Sequence, residues 1–338
     1  MKPTFQMQLV NGPWGDPALY VRIRWARRAL LFDLGTVDSL SSGDLLRVGE
    51  VFVSHTHLDH FVGFDHLLRT VLGRDRTLTL FGPPGIIDNV EGKLRGYTWN
   101  LVQGYPLSLD VFEVDLDLVR GARFACAESF RRRDLAPRAF TGDVWDEPGF
   151  RVRAAHLDHQ IPCLAFAVTE PFHINIQKER LAELQLPVGP WLSELKTQIR
   201  GGAADETRIA VRWPGGRTEI LALGDLKTAL INITPGQKFA YVTDVRYCPE
   251  NVARIVTLAK AADVLYCEAA YLDRDEPLAT ERSHLTARQA GLIAREAGVR
   301  RLALFHFSPR YQGETEAFYR EAREAFEGWV TVPKGHWN

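Results

Sequence analysis

Val51 to His60, VFVSHTHLDH, decides how the rest of this 338-residue chain is read. An apolar, β-prone run, Val51-Phe52-Val53, stops at Ser54 and gives way to His55, His57, Asp59 and His60 within six positions. Imidazole and carboxylate are the donors that divalent zinc, manganese and iron prefer, and a buried strand entering a turn is a stiff support for them. Alternate residues of an extended chain point the same way, so His55 and His57 can converge on one ion. Asp59 and His60, past the bend, point elsewhere, which predicts two ions served by one loop. The chain has ten histidines, and three of them crowd the point where an apolar strand ends.

The same pattern recurs downstream. Arg151 to Ala155 reads as a strand and runs into His156-Leu157-Asp158-His159, where spacing alone does not choose between the two imidazoles. The strand from Phe239 ends at Asp244, and the strand Arg301 to Phe305 ends at His306. Two cations about 3.5–4 Å apart need a shared oxygen ligand between them, and Asp244 is the expected bridge. Strand ends are where α/β folds keep their chemistry. Ala29 to Phe32 ends in the same way at Asp33, which sits where a carboxylate caps a turn.

HTHLDH after a hydrophobic strand resembles the HxHxDH signature of the metallo-β-lactamase fold hydrolases. That resemblance implies an α/β (α+β) chain folded as a four-layer αββα sandwich with a dinuclear site at one edge. It also implies that Asp33 braces the metal loop from behind. Later motifs are similar to those of the ribonuclease Z branch. The stretch LDHQIPCLAF, from Leu157, selects His159, with His156 as the alternative. Asp244-Val245-Arg246 is similar to the family's Asp-Thr-Arg, Cys267-Glu268-Ala269-Ala270 stands in the place of its His-Glu-Ala-Thr, and His284-Leu285-Thr286 in that of its His-Ser-Thr. His306-Phe307-Ser308-Pro309-Arg310-Tyr311 stands in the place of His-Ile-Ser-Ala-Arg-Tyr.

What this implies is a hydrolase of phosphodiesters, with His55, His57 and His159 on one ion, Asp59, His60 and His306 on the other, and Asp244 joining them. Asp59 would accept a proton from the attacking water, His284 would donate to the phosphate or leaving oxygen, and Glu268 would hold the His284 tautomer. The implied cofactors are two divalent ions, zinc with manganese or iron as alternatives. The implied substrate is RNA or a tRNA precursor, and the implied assembly a homodimer. Departures from the family pattern are Cys267 in place of a histidine, Gly35-Thr36-Val37-Asp38 in place of Gly-Glu-Gly-Thr-Gln, and missing glycine-rich and Arg-Asn positions near the N-terminus. They bear on tRNA 3′-end processing and leave the metal ligands intact. Two rivals remain: a β-lactamase- or glyoxalase-like hydrolase of an amide or thioester, and a catalytically impaired metal-containing RNA-binding module.

Composition sets the frame. A hydrophobic fraction of 46% supports a large core, while a net charge of -1 gives no global reason for nucleic-acid binding, so any RNA contact has to come from local patches. Four cysteines, Cys126, Cys163, Cys248 and Cys267, are widely separated, which argues against a disulfide framework or a thiolate zinc site. No run approaches the ~18 apolar residues of a membrane span, so a soluble, cytoplasmic protein with no membrane partner is expected. The chain is read as a single domain over 1–338, with an insertion of unclear role at 96–150 and an exosite-like arm at 171–238. Helices are expected in the arm over Lys178–Leu184 and Leu192–Ile199. Arg131-Arg132-Arg133 reads as a solvated face or a phosphate-binding run, His66 as a helix-surface residue, and Thr286 or Ser283 as a helix N-cap.

Overall fold

The computed structural model describes residues 4–331, so the ends of the expected 1–338 domain, residues 1–3 and 332–338, lie outside the described residues. Eight strands form the first sheet in chain order: β1 (Phe5–Leu9), β2 (Leu19–Ile23), β3 (Arg28–Phe32), β4 (Val48–Phe52), β5 (Thr77–Gly82), β6 (Ser108–Val114), β7 (Leu118–Ala125) and β8 (Arg131–Ala139). After β9 (Asp143–Glu147), β10 (Phe150–Asp158) and β11 (Pro162–Thr169) the chain makes a smaller unit. That unit holds β12 (Phe172–Ile176), β13 (Arg208–Arg212), β14 (Thr218–Ala222) and β15 (Ile231–Pro235). It then returns as β16 (Lys238–Val242), β17 (Val264–Glu268), β18 (Arg301–Phe305) and β19 (Trp329–Thr331), completing a seven-stranded sheet in the order β19-β18-β17-β16-β11-β10-β9.

The two large sheets pack face to face through aromatic rings. Phe32 lies 5.9 Å from Phe166 and 5.6 Å from Phe239, and Phe52 lies 5.5 Å from Phe166, all centroid to centroid. Each outer face is covered by amphipathic helices. Phe64–Val71 and Ile86–Arg95 bury Phe64, Leu67, Ile86 and Val90 on the first sheet. Pro249–Ala259, Ala287–Glu296 and Thr315–Phe326 bury Ile255, Ile293 and Phe318 on the second. This is the expected αββα layering. It follows from sheets that are apolar on both sides and must be covered twice.

Parallel pairing sets where the chemistry falls. β3, β4 and β5 run parallel with Phe32, Phe52 and Phe81 in register, and β16, β17 and β18 run parallel with Val242 opposite Cys267 and Glu268 opposite Phe305. In-register parallel strands finish together. Asp33, His55, Asp244, Glu268 and His306 therefore lie at, or within three residues of, their strand ends.

One expectation about organisation is corrected. Residues 96–150 are not an insertion: β6 continues the first sheet parallel to β5, with Phe81 opposite Phe112, and β7 and β8 follow antiparallel, with Phe124 opposite Arg132. β8 is an edge strand exposed along almost its whole length, so it shows no apolar alternation. Two of its arginines are engaged within the protein, Arg132 with Asp88 and Asp134 and Arg133 with Glu128. Thr169–Gln237, with Asp146–Arg151, forms a compact unit of its own, over nearly the bounds of the arm expected at 171–238. That unit encloses a separate apolar core around Ile174, Trp191, Leu195, Val211 and Leu226. Its helices include Lys178–Glu183 and Trp191–Arg200, close to those expected, and its ends meet where the Glu170 N–H donates to the Gln237 carbonyl at 2.8 Å.

Candidate metal centre

The strand ends deliver their side chains into one cluster. His55 Nε2 and His57 Nδ1 face each other at 2.9 Å, and the His159 ring lies 5.3 Å from both of theirs. Asp244 Oδ2 is 3.6 Å from His55 Nε2, 3.5 Å from His159 Nε2 and 3.3 Å from His60 Nε2, while its Oδ1 is 2.9 Å from His306 Nδ1. Asp59 Oδ2 completes the arrangement, 3.5 Å from His60 Nε2 and 3.3 Å from His306 Nε2. Two groups of donor atoms result, His55, His57, His159 and Asp244 in one, Asp59, His60 and His306 in the other, each gathered within 4.8 Å. Asp244 stands between them.

The backbone takes an unusual shape to achieve this. Asp33, Asp244 and His306 have φ of 57°, 45° and 63°, and Gln160 and Ser283, each beside a site histidine, have 62° and 59°. Left-handed backbone at residues other than glycine is costly and persists only where the surroundings over-determine it. Here it turns the chain sharply as it leaves a sheet at Asp33, Gln160, Asp244 and His306, and as it leaves the helix Glu276–Arg282 at Ser283.

Hydrogen bonds set which nitrogen of each ring faces the cluster. His159 Nδ1 lies 2.8 Å from the Ser283 carbonyl, which only accepts, so that nitrogen carries the hydrogen and Nε2 is left with its lone pair inward. His60 Nδ1 donates in the same way to Asp33 Oδ2 at 3.0 Å. Asp33 is fully buried and also accepts from the Ser54 N–H at 2.6 Å, the Ser54 hydroxyl at 2.9 Å and the Tyr241 hydroxyl at 2.9 Å. His284 Nδ1 donates to Glu268 Oε2 at 2.9 Å, and Glu268 Oε1 accepts from the Val245 N–H at 2.8 Å.

The donor set fits divalent cations. His60 Nε2 and His306 Nδ1 are buried without a hydrogen-bond partner among the described residues, although carboxylate oxygens lie close by. Inward lone pairs opposed to carboxylates are what a cation bound between them would use. The field of the site points the same way. Burial opposes charge on His60, but Asp244 and Asp33 outweigh it and hold the ring's pKa up to about 10. At His55 burial dominates, the neighbouring His60 adds to it, and the pKa falls to about 2. Burial likewise works against an ionised Asp244, yet His306 and His60 push its carboxyl well below the usual range. A field that stabilises positive charge beside buried carboxylates stabilises metal ions.

His284 and Glu268 also lie close enough to Asp244 and His306 to form a third donor group, but they are engaged with each other. The His156 alternative goes elsewhere: its Nε2 meets the Val114 carbonyl at 3.0 Å and its ring packs against Phe140. His66 is exposed and pairs with Asp38 at 2.7 Å. Thr286, not Ser283, caps the following helix, with its side chain and that of Gln289 forming a reciprocal capping box. The sequence reading missed Tyr241, whose hydroxyl braces Asp33, and the cleft-lining Tyr271 and Arg282, while Arg310 entered only as part of the last motif, without a role. An alternating strand reads Tyr241 as core, and no local signal marks Tyr271 or Arg282.

Among known proteins, a beta-lactamase superfamily domain model matches residues 216–307. The chain is 33% identical over 323 residues to ribonuclease Z of Deinococcus radiodurans, covering 94% of this chain and 93% of that protein. It is 32% identical to ribonuclease Z of Thermobifida fusca, covering 92% and 85%. In fold it is similar to the metallo-β-lactamase fold protein YhfI from Bacillus subtilis, with a TM-score of 0.55, 18% identity and coverage of 96% and 95%. The short form of human tRNase Z gives a TM-score of 0.50, 19% identity and coverage of 91% and 93%.

Proposed function

The chain belongs to the ribonuclease Z family of metallo-β-lactamase fold endoribonucleases, and from that premise we propose that it hydrolyses a phosphodiester of a tRNA precursor at the histidine–aspartate cluster. It is a metal-dependent hydrolase. The proposed ligands are His55, His57 and His159 for one ion and Asp59, His60 and His306 for the other, with Asp244 shared and zinc the metal that suits this donor set. Bound there, two divalent cations would neutralise charge on the phosphoryl oxygens and lower the pKa of water from about 15.7 towards 7.

The chain's own residues do the rest. Asp59 is half-buried, and although burial works against its charge, the His306 hydrogen bond brings its pKa down to about 2, so it is ionised at neutral pH. It orients the attacking water and takes its proton. His284 stands in the cleft wall with Nδ1 held by the buried Glu268, which leaves Nε2 as the nitrogen free to serve the substrate. Burial opposes the imidazolium, but Glu268 and then Asp244 overcome it and keep the ring protonated to higher pH than usual. A held, charged imidazole can neutralise the phosphate and deliver a proton to the leaving oxygen. This Glu268–His284 pair is the observation that carries the reading, because a departing alkoxide needs a proton donor. The compact unit of Thr169–Gln237 is proposed as the arm that grips the RNA away from the cut, and a homodimer as the working assembly.

The test is a cleavage assay on an unprocessed pre-tRNA, a cyclic nucleotide and bis(p-nitrophenyl) phosphate, with bound metal quantified in the same sample. Cutting of the pre-tRNA just after the discriminator base is the expected result. Full metal loading without cleavage of any phosphodiester would defeat the proposal.

A further inference from the structure

The cleft over the cluster has two lobes that share Asp59, Tyr271, His284 and His306 in their walls. One lobe, of about 270 Å³, extends to Trp14 and Asp16, and the other, of about 490 Å³, extends to Arg282 and Arg310. A phosphodiester centred on the cluster has a nucleoside on either side, and two lobes meeting at the reacting centre suit two nucleosides. Tyr271 lines both.

Tyr271 is presented, rather than packed away. Its main chain is pinned on both sides, its N–H donating to the Leu285 carbonyl at 3.2 Å and its own carbonyl accepting from the Ala287 N–H at 2.9 Å. The ring is only partly buried, 6.0 Å from the His284 imidazole. Behind it Tyr311 meets it edge-on at 6.3 Å and 85°. Tyr311 is the opposite kind of residue, 2% exposed, with its hydroxyl donating to Asp275 at 2.6 Å. The exposed Arg310 guanidinium lies 5.9 Å from both ring centres. A pinned aromatic face beside a guanidinium, one residue away from the reacting groups, is a surface for a nucleobase. Every base has a π-face, and stacking on tyrosine with a flanking arginine is sequence-tolerant.

We infer that Tyr271 and Arg310 form a base-stacking shelf that positions one of the two nucleosides flanking the scissile phosphate, an inference that rests on the endoribonuclease reading above. Tyr271 is a positioning residue: it sets the angle at which the phosphodiester enters the cluster and takes no part in proton transfer.

The experiment uses metal-loaded enzyme and short RNA substrates from which the base has been removed at either flanking nucleotide. The wild type is expected to cut intact RNA with a kcat/KM roughly 5- to 150-fold above that for RNA abasic at one of the two positions, the stacking worth of one base. Tyr271→Ala is expected to lose that factor on intact RNA, to lose nothing more on the matching abasic RNA, and to keep its metal. Tyr271→Phe should restore the preference. A 2-aminopurine at the same position should be quenched on mixing with wild type and not with Tyr271→Ala. Equal losses on intact and abasic RNA with quenching retained would show a merely structural role. A wild type indifferent to base removal at both positions would overturn the shelf and leave the endoribonuclease reading standing. No cleavage of any RNA by loaded wild type would remove that reading, and the shelf with it.

Discussion

Asp33→Asn tests the logic of the centre from behind. The native carboxylate accepts from the Ser54 N–H, the Ser54 hydroxyl, the Tyr241 hydroxyl and His60 Nδ1, all within 3.0 Å. Asparagine is tolerated at φ 57°, so the backbone is not at issue. Its one oxygen keeps the Ser54 N–H bond, while its NH₂ faces the Ser54 hydroxyl, the Tyr241 hydroxyl and His60. The hydroxyls can turn and accept, but His60 Nδ1–H cannot. Losing one to two bonds to a buried carboxylate, at about 1.5–3 kcal/mol each, predicts about 3 kcal/mol of destabilisation in metal-stripped protein. The second consequence is chemical. Facing an NH₂, His60 prefers its lone pair at Nδ1 and its hydrogen at Nε2, the nitrogen 3.3 Å from Asp244, and is lost as a ligand. Losing such an outer hydrogen bond costs roughly 10- to 100-fold in metal affinity, and it should fall on one of two ions only. Urea unfolding of stripped protein and competition titration against a chromophoric chelator read the two effects separately. Two wild-type affinities in the variant, with unfolding unchanged to within about 0.5 kcal/mol, would refute the argument.

His284→Ala should keep both metals while turnover drops by roughly 10²–10⁴, the usual worth of a general acid or base; a missing ion, seen by elemental analysis, would make His284 a ligand instead. Glu268→Gln removes the strongest influence raising His284 against its burial, so the imidazolium should be lost at lower pH and the basic limb of the kcat profile should move down in pH. In stability the pair's contribution is present below the ring's ordinary value of 6.5 and fades as pH rises through the raised folded value, and a pH profile that does not move would refute the pairing. Replacing residues 171–236 with a short glycine-serine linker is feasible because Glu170 and Gln237 are hydrogen-bonded neighbours. The shortened protein should keep its metals and its hydrolysis of bis(p-nitrophenyl) phosphate while its KM for pre-tRNA rises, and an unchanged KM would exclude the arm from substrate binding.

Local chemistry was legible wherever the pattern was short. Val51 to His60 announced itself because period-two geometry and ligand chemistry act over a few residues, and Asp244 and His306 stood out as polar ends of apolar strands. β8 was misread for the reason that makes it stable: an edge strand needs charge on its surface, and charge hides alternation. The core of the 169–237 unit was obscured because its apolar residues are shared among short strands and helices rather than held in one periodic run.

What the sequence by itself determined is the donor inventory and the strand-end positions from which it is delivered, since both depend on residue type and spacing. Tertiary structure decided which donors meet. His159 and His156 are three residues apart, yet one turns to the Ser283 carbonyl, 124 residues on, and the other to that of Val114, 42 residues back. The Tyr241 hydroxyl reaches Asp33 across 208 residues. Partnerships of that separation arise only when two sheets close on each other, because the free energy that selects them comes from burying whole apolar faces and not from the residues that meet.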